Sequence, residues 1–524
     1  VDIDRRAHGL VRSWYRAADD PSEFEGISMV RLYELDLVGH LAWTFRDALV
    51  LGRLIRDLHP ARLAAAWHPE RNPVWPLETV AELSAAYHGV PFERVPPSSA
   101  GVSVRPGPAL SGALSGKGRR ARRALALRMA RTYWRFRRRP DGGSRGPAVL
   151  FWPFWRFRSV LDELAGRPGF RLLVAGTMGL RHDGYLSRRV RHLWLEDYVT
   201  ARRWREVEAA ARARFLAGWR RLSVETAYQR QYNYDELPLW PAVAPRLTTV
   251  WHEFAWWAAY CEASRAALLE ENVAVVVTHQ DELAEERALA LVSRQLGIPS
   301  LFCQHGPESD YPIWSPTVTS HVTVWGDGSL PSMTRRAEAN GTTVVVTGEP
   351  SLDHADGTVE RGHRERTLAT LGLDPRKKSV LVMAQPAVPF TALSMATDPE
   401  RFAAAIVQAA AALTKCQFIY KLHYADGGQF ERQLERTNAL PANLRLLDHN
   451  EARHRGLDTL RLAGACDLLV TQSSTSGLEG LLVGTALLVV NLTGRADLLR
   501  YVQDGAAAGV RAAQDLAPAS VAAL

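Results

Sequence analysis

Between Thr471 and Glu479 the chain reads Thr-Gln-Ser-Ser-Thr-Ser-Gly-Leu-Glu, directly after the apolar run CDLLV and directly before GLLVGTALLVV. Hydroxyls at the junction of a strand and a helix put side-chain donors beside free backbone N–H groups, an arrangement that holds phosphate. Ser473, Ser474 and Thr475 are therefore candidate phosphate ligands. Glu479 stands three residues after Ser476, so it either closes a capping box or accepts hydrogen bonds from a ribose diol. Lys421 and His423 end the run QFIYKL. Two residues apart on an extended chain, they share a face and can meet a pyrophosphate from one side. A lysine within so apolar a strand needs an anionic partner. A fourth group, Gln304-His305-Gly306-Pro307, follows PSLFC, with Glu308 and Asp310 close behind. A histidine on a glycine turn titrates near neutral pH and suits a general base, His305 here, unless it only bonds its own loop. Asp281 and Glu282 in THQDELAEE are acid candidates that would equally well cap a helix, and Asp281 is the second catalytic candidate. Gly326 in WGDG and Gly348 in GEP could let a ligand approach the backbone, or could be ordinary turn glycines.

These residues are interpretable because each group follows a short run of β-branched and other apolar residues. Runs of this kind are predicted at 61–67, 148–154, 171–175, 272–278, 299–303, 321–325 and 342–347, and a second series at 379–384, 417–422, 444–448, 466–471 and 486–491. The runs are continuous and alternate with helical periodicity, the pattern of parallel sheets covered by helices on both faces. In such sheets ligands bind beyond the carboxyl ends of the strands, where the candidate residues fall. The expected organisation is an N-terminal α/β region at 1–118, a basic helical segment at 119–145, an α/β domain at 146–350 with a helical insertion at about 200–270, a linker at 351–378, and a second α/β domain at 379–524. Six tryptophans in the insertion (Trp204, Trp219, Trp240, Trp251, Trp256, Trp257) are expected to pack it, with an aromatic platform for sugar or lipid as the other reading.

The series QHG, WGDG, GEPSLD, YKLH and SSTSGLEGLLVGTALLVV resembles the GT-B glycosyltransferases of bacterial surface polysaccharide synthesis. It is similar to the polysialyltransferase and Kdo-transferase kind and to the CDP-glycerol glycerophosphotransferases, over residues 270 to 500 and more loosely over 145 to 270. The resemblance implies an α/β fold of two Rossmann-like domains facing a cleft, and metal-independent transfer of a sugar or glycerophosphate-like unit from a CMP-, CDP- or UDP-activated donor. The acceptor would be a glycan or lipid-linked surface or capsular polysaccharide, with no cofactor beyond the donor itself. His305 corresponds to a proposed base, His423 to a phosphate-binding histidine, Ser473, Ser474 and Thr475 to donor-phosphate contacts, and Glu479 with Gly484 to the donor ribose. Two departures stand out: Tyr424 replaces a proline after His423, and Gly484-Thr485-Ala486 lacks the usual proline. A nucleotide-sugar epimerase of the same fold and a non-catalytic scaffold of a capsule assembly complex are the alternatives.

Composition narrows the classes further. The 524 residues are 47% hydrophobic and 23% charged, which excludes whole-chain disorder and a single small module. No apolar run approaches the roughly 18 to 20 residues that span a bilayer, and no secretory signal is visible, so the expectation is a cytoplasmic protein. Cys261, Cys303, Cys416 and Cys466 match no zinc or disulfide spacing. Residues 117–139 hold eleven basic residues and no acidic one, more than the whole-chain excess of +8, so the rest of the chain is slightly acidic. With leucines and aromatics between its arginines, this stretch suits a helix resting on anionic lipid at the inner leaflet, giving peripheral membrane attachment. A solvated face and an acidic glycan partner are the competing readings. Only five of the 64 basic residues are lysine, and arginine is abundant throughout, so global basicity is no argument for nucleic acid.

Overall fold

The computed structural model describes residues 2–16, 20–66, 75–95, 146–175, 190–306, 308, 315–353, 362–385, 398–423, 429–436 and 440–524. The basic stretch 117–139, Asp310 and Tyr424 lie outside the described residues. The main division of the chain, at Gly348 and Glu349, separates two compact units.

The first unit opens with a two-stranded antiparallel ribbon, β1 (Glu23–Phe24) and β2 (Ile27–Ser28), and a parallel pair, β3 (Leu63–Ala66) and β4 (Phe92–Val95). Its main sheet contains β5 (Ala148–Phe151), β6 (Arg171–Ala175), β7 (Val190–Leu193), β8 (Val273–Thr278), β9 (Ser300–Cys303), β10 (His321–Val324) and β11 (Thr343–Val346). They lie in the order β11-β10-β9-β8-β5-β6-β7, parallel throughout. Between β7 and β8 run the helices Ala201–Leu222 and Trp240–Glu270, packed on each other. The tryptophans pack this pair: Trp251 is fully buried, Trp219 stacks on it at 5.5 Å, and Trp204 meets Trp256 edge-on at 5.6 Å.

The second unit's sheet contains β12 (Ser379–Met383), β13 (Gln417–Lys421), β14 (Leu444–Leu447), β15 (Leu468–Thr471), β16 (Ala486–Val490) and β17 (Ala508–Val510), in the order β14-β13-β12-β15-β16-β17, again all parallel. Its strands explain their continuous apolar runs. Val380, Val382, Phe418 and Val470 pack one face, while Leu381, Met383, Ile419 and Leu469 pack the other. A strand covered on both faces has no polar side to show.

The two parallel α/β sheets are the Rossmann-like pair that the sequence leads one to expect, and every anticipated strand forms. Five were not anticipated: Val190–Leu193, Ala508–Val510, Phe92–Val95 and the ribbon strands Glu23–Phe24 and Ile27–Ser28. The first two are sheet edges, where partial exposure relaxes the demand for apolar residues, and the third is half of the small pair.

In the first unit the N-terminal helices are tied to the main sheet by Arg287, whose guanidinium is fully buried. Its Nε donates to the Arg31 carbonyl (2.6 Å), Nη1 to the carbonyls of Asp281 (2.9 Å) and Pro316 (3.3 Å), and Nη2 to the Glu34 carboxylate (3.3 Å). Glu34, 1% exposed, also takes Arg12 at 2.9 Å. Removing one partner of a buried ion pair strands the other, at a cost of about 3–5 kcal/mol. Arg287→Met is therefore expected to lower the stability of the first unit by about that much in a urea titration, and adding Glu34→Leu should recover part of the loss; an Arg287→Met protein as stable as the parent would show that the cluster does not hold the N-terminal helices.

Candidate functional site

Strand order fixes where a parallel sheet can open. In each unit the chain fills one side of the first strand and then returns to the other, and the crevice at that reversal is where ligands enter. The reversals lie between β12 and β15 in the second unit and between β5 and β8 in the first.

At the second unit's reversal, β15 ends in Thr471 and the chain turns through Gln472, Ser473, Ser474 and Thr475 into the helix Ser476–Leu482. That turn is anchored on both sides. The Gln472 amide donates to the Asp398 carbonyl (3.1 Å) and accepts from the Asp398 N–H (2.9 Å), while the Tyr501 hydroxyl donates to the Ser474 carbonyl (3.1 Å). Two glycines let the short helix lie close: a Cβ at Gly477 would come within 2.9 Å of the Tyr501 ring, and one at Gly480 within 2.8 Å of Leu469. The hydroxyls then divide. Ser474 Oγ accepts from the Ser476 N–H at 3.2 Å and bonds the Ser476 hydroxyl, so it is spent on the turn. Ser473 Oγ is buried, and among the described residues it has no hydrogen-bond partner. Thr475 starts the helix without a side-chain cap, so the capping box that Ser476 and Glu479 could have formed is not the cap used. The helix has only seven residues, which leaves its dipole a minor contributor.

Lys421 is the last residue of β13, paired with Met383 of β12. β13 and β15 flank β12, so Lys421 and Ser473 leave the sheet at the same end, two strand spacings or about 10 Å apart. Gln385 lies between them, its amide 3.5 Å from the Thr471 hydroxyl. Burial pushes the Lys421 ammonium below its ordinary range, and the charges of Glu479 and Asp458 draw it partly back. No carboxylate among the described residues pairs with Lys421 within 4 Å. His423 follows two residues on, half-buried, and Glu479 is 8% exposed.

At the first unit's reversal the exits of β5, β8 and β9 bring three rings together. Phe154 and His279 stack with centroids 4.1 Å apart and planes 8° apart. His305 stands edge-on to both, at 6.0 Å and 5.4 Å. Burial lowers the His305 pKa, while Glu282 and a hydrogen bond to the His279 backbone raise it part of the way. Burial and the neighbouring His305 hold His279 well below the usual range. Both rings are therefore neutral at pH 7, and His305 is in the form a base requires. The motif around His305 is locked by its neighbour: Gln304 Oε1 accepts from the Trp325 N–H (2.8 Å), and Trp325 Nε1 donates to the Gln304 carbonyl (2.8 Å). Arg156 lies over the Trp325 ring at 5.6 Å.

Asp281 does not stand with these rings. It is fully buried, and Oδ2 accepts the N–H groups of Val318 (2.6 Å) and Thr319 (3.3 Å), with Arg336 at 3.7 Å from Oδ1. Oδ2 is committed to that neighbouring segment, while Oδ1 is buried and accepts no hydrogen bond among the described residues. Glu282 pairs with Arg336, which holds it below the usual carboxylate range against the opposing effect of burial. Gly348 has φ +84, which only glycine adopts readily, so backbone conformation accounts for it. Gly326 has no neighbour that a Cβ would touch. Among the described residues no group of three or more His, Cys, Asp or Glu could hold a metal ion, and no helix is long and apolar enough to cross a membrane.

The sequence reading passed over His279, although it lies in the quoted THQDELAEE, and over Phe154 and Gln385. Each matters because it flanks a reversal of strand order.

No protein-family model matches the chain, and no curated protein matches it. Solved structures similar to it include UDP-GlcNAc 2-epimerase from Methanocaldococcus jannaschii in complex with UDP-GlcNAc and UDP (12% identity, 72% of this chain and 93% of that one, TM-score 0.43). Others are UDP-GlcNAc 2-epimerase from Neisseria meningitidis bound to UDP-GlcNAc (12%, 72% and 90%, 0.44) and the UDP-forming α,α-trehalose-phosphate synthase from Burkholderia xenovorans in complex with glucose-6-phosphate (13%, 72% and 92%, 0.42). At these identities and scores the likeness assigns neither activity nor site residues to this chain.

The two serines should separate in the ligand-free protein. Ser473→Ala is expected to leave the melting temperature unchanged or slightly raised, because a buried hydroxyl without a partner costs about 1–3 kcal/mol. Ser474→Ala should lower it, by the worth of a local hydrogen bond of about 1 kcal/mol. The reverse order in a thermal melt would mean that the hydroxyl assignments are exchanged.

Proposed function

We propose that this chain is a glycosyltransferase that moves a sugar, or a glycerophosphate-like unit, from a CMP-, CDP- or UDP-activated donor to a surface or capsular polysaccharide acceptor. The observation that carries the reading is the pairing, at one reversal of strand order, of a buried hydroxyl at Ser473 and a half-buried ammonium at Lys421 that, among the described residues, have no hydrogen-bond partner and no carboxylate partner respectively. Both groups lack something, and a phosphate would supply it to both. Charged hydrogen bonds of this kind are worth about 1.5–3 kcal/mol each.

In this reading the second unit binds the donor. Lys421, His423 and Ser473 neutralise the phosphate, Glu479 holds the ribose, and Ser474 and Thr475 shape the turn. As the bond between the transferred group and the nucleotide phosphate breaks, its electron pair leaves with the phosphate, and donors already in place stabilise that charge. His305 takes the proton of the acceptor hydroxyl whose oxygen forms the new bond. It is suited to this because it is neutral at pH 7 and held by the His279 carbonyl.

A thermal-shift panel of CMP, CDP, UDP and GDP tests the donor half, since a ligand that binds only the folded state raises its melting point. At least one pyrimidine nucleotide should stabilise the protein, and Lys421→Met with Ser473→Ala should abolish the shift; no shift with any nucleotide in the parent, or an undiminished shift in the double variant, contradicts it. Turnover of donor without acceptor would favour an epimerase.

His305→Ala should retain the nucleotide shift and lose about a hundredfold to ten-thousandfold in turnover. Because the His305 pKa is lowered, the acid limb of kcat/KM should fall below about pH 6.5, the ordinary histidine value. An acid limb centred above pH 7 would identify a different base.

A further inference from the structure

Glu286 lies in the first turn of the helix Ala284–Gln295 and is 2% exposed. Its Oε1 accepts from the Gln280 amide at 3.1 Å, and among the described residues its Oε2 has no hydrogen-bond partner. Among the described residues no Lys, Arg or His forms an ion pair with it. The charged and titratable groups that act on it are acidic: Glu285 on its own helix and Glu282 on the loop before it. Tyr260, on the packed helix Trp240–Glu270, is fully buried, its hydroxyl is unpaired among the described residues, and it feels Glu196, Glu285 and Glu286. A carboxylate removed from water, without a cation and beside other acids, is less stable than its protonated form.

We propose that Glu286 is a neutral carboxylic acid at physiological pH and that in this form it positions Gln280, and through Gln280 the loop of residues 279–282 whose His279 carbonyl holds His305. The protonation half stands on the cluster alone, while the kinetic consequence rests on the reading of His305 as the base. Burial, and then the charge of Glu285, push the Glu286 pKa up to about 8, in keeping with this geometry. When the proton leaves at higher pH, an anion remains beside Glu285 and Glu282 with no cation among the described residues to receive it; the Gln280 amide still donates to it, and repulsion from the two neighbouring acids strains the loop. The sign follows from linkage. A folded-state pKa above the unfolded value of 4.5 gives stability that is complete below pH 4.5 and is lost as pH rises through 8.

Glu286→Gln keeps the acceptor for Gln280 and stays neutral at every pH. Between pH 6 and 8 the folded-to-unfolded ratio of the parent should fall through this one group by about tenfold per pH unit, and the variant should lack that component. The imidazole NMR signals of His305 should show a step near pH 8 in the parent and none in Glu286→Gln. If transfer is detected, kcat/KM should fall above pH 8 in the parent and persist to higher pH in the variant. Parallel stability profiles for parent and variant would overturn the neutral acid. A flattened stability profile with identical His305 titrations would overturn the positioning role. These two readouts need no turnover, so they also separate failure of this inference from failure of the transferase reading.

Discussion

The guanidinium of Arg287 is the point on which the first unit's architecture turns. It has no access to water, so each of its donors must be met inside the protein, and they are met by three backbone carbonyls and one carboxylate from three separate stretches of chain. One of those stretches, residues 31–34, belongs to the N-terminal helices. The other two, at Asp281 and Pro316, lie after the end of β8 and before the start of β10. A planar donor set satisfied in this way tolerates little displacement of any partner. The Asp281 carboxylate continues the arrangement by capping the N–H groups of Val318 and Thr319, and Arg336 closes it through Glu282. The loop that carries His279 is thus held from below by two buried arginines, and the rings of Phe154, His279 and His305 rest on a fixed base.

Parallel pairing imposes the second constraint. When every strand of a sheet runs the same way, all the carboxyl ends emerge on one side, and a reversal of strand order opens a gap between neighbouring helices. The second unit shows what then occupies such a gap. Apolar side chains fill both faces of β12, β13 and β15, so polar groups can appear only at the strand ends, and Lys421, Gln385 and Ser473 are those groups. Their concentration there is a product of topology as much as of chemistry. What singles out Ser473 and Lys421 is that, among the described residues, the first has no hydrogen-bond partner and the second no carboxylate within 4 Å, while Ser474 and Gln472 beside them are satisfied.

The strands were legible because burial on both faces writes an unbroken apolar run, as in VAVVVT and SVLVM, bounded by turn residues. The candidate residues were legible for the same reason, since they stand where such a run ends. The edge strands VRHL and AGV were not, because an edge lacks the neighbour that makes the apolar run necessary. His279 and Asp281 show the limit more sharply. They stand two residues apart after one strand, and only the packing of distant segments reveals that one joins a cluster of rings while the other turns toward residues 318 and 319. No local pattern announces that Arg287 will meet Glu34 or that Glu286 will meet no cation. Those facts come from packing between distant segments.

The central claim is that a nucleotide phosphate completes the unsatisfied groups at the reversal between β12 and β15. A crystal structure of the protein with the pyrimidine nucleotide that stabilises it most tests this directly. The account predicts phosphate oxygens within hydrogen-bonding distance of Ser473 Oγ and Lys421 Nζ. A nucleotide bound elsewhere, with Ser473 and Lys421 unchanged and uncontacted, would contradict it.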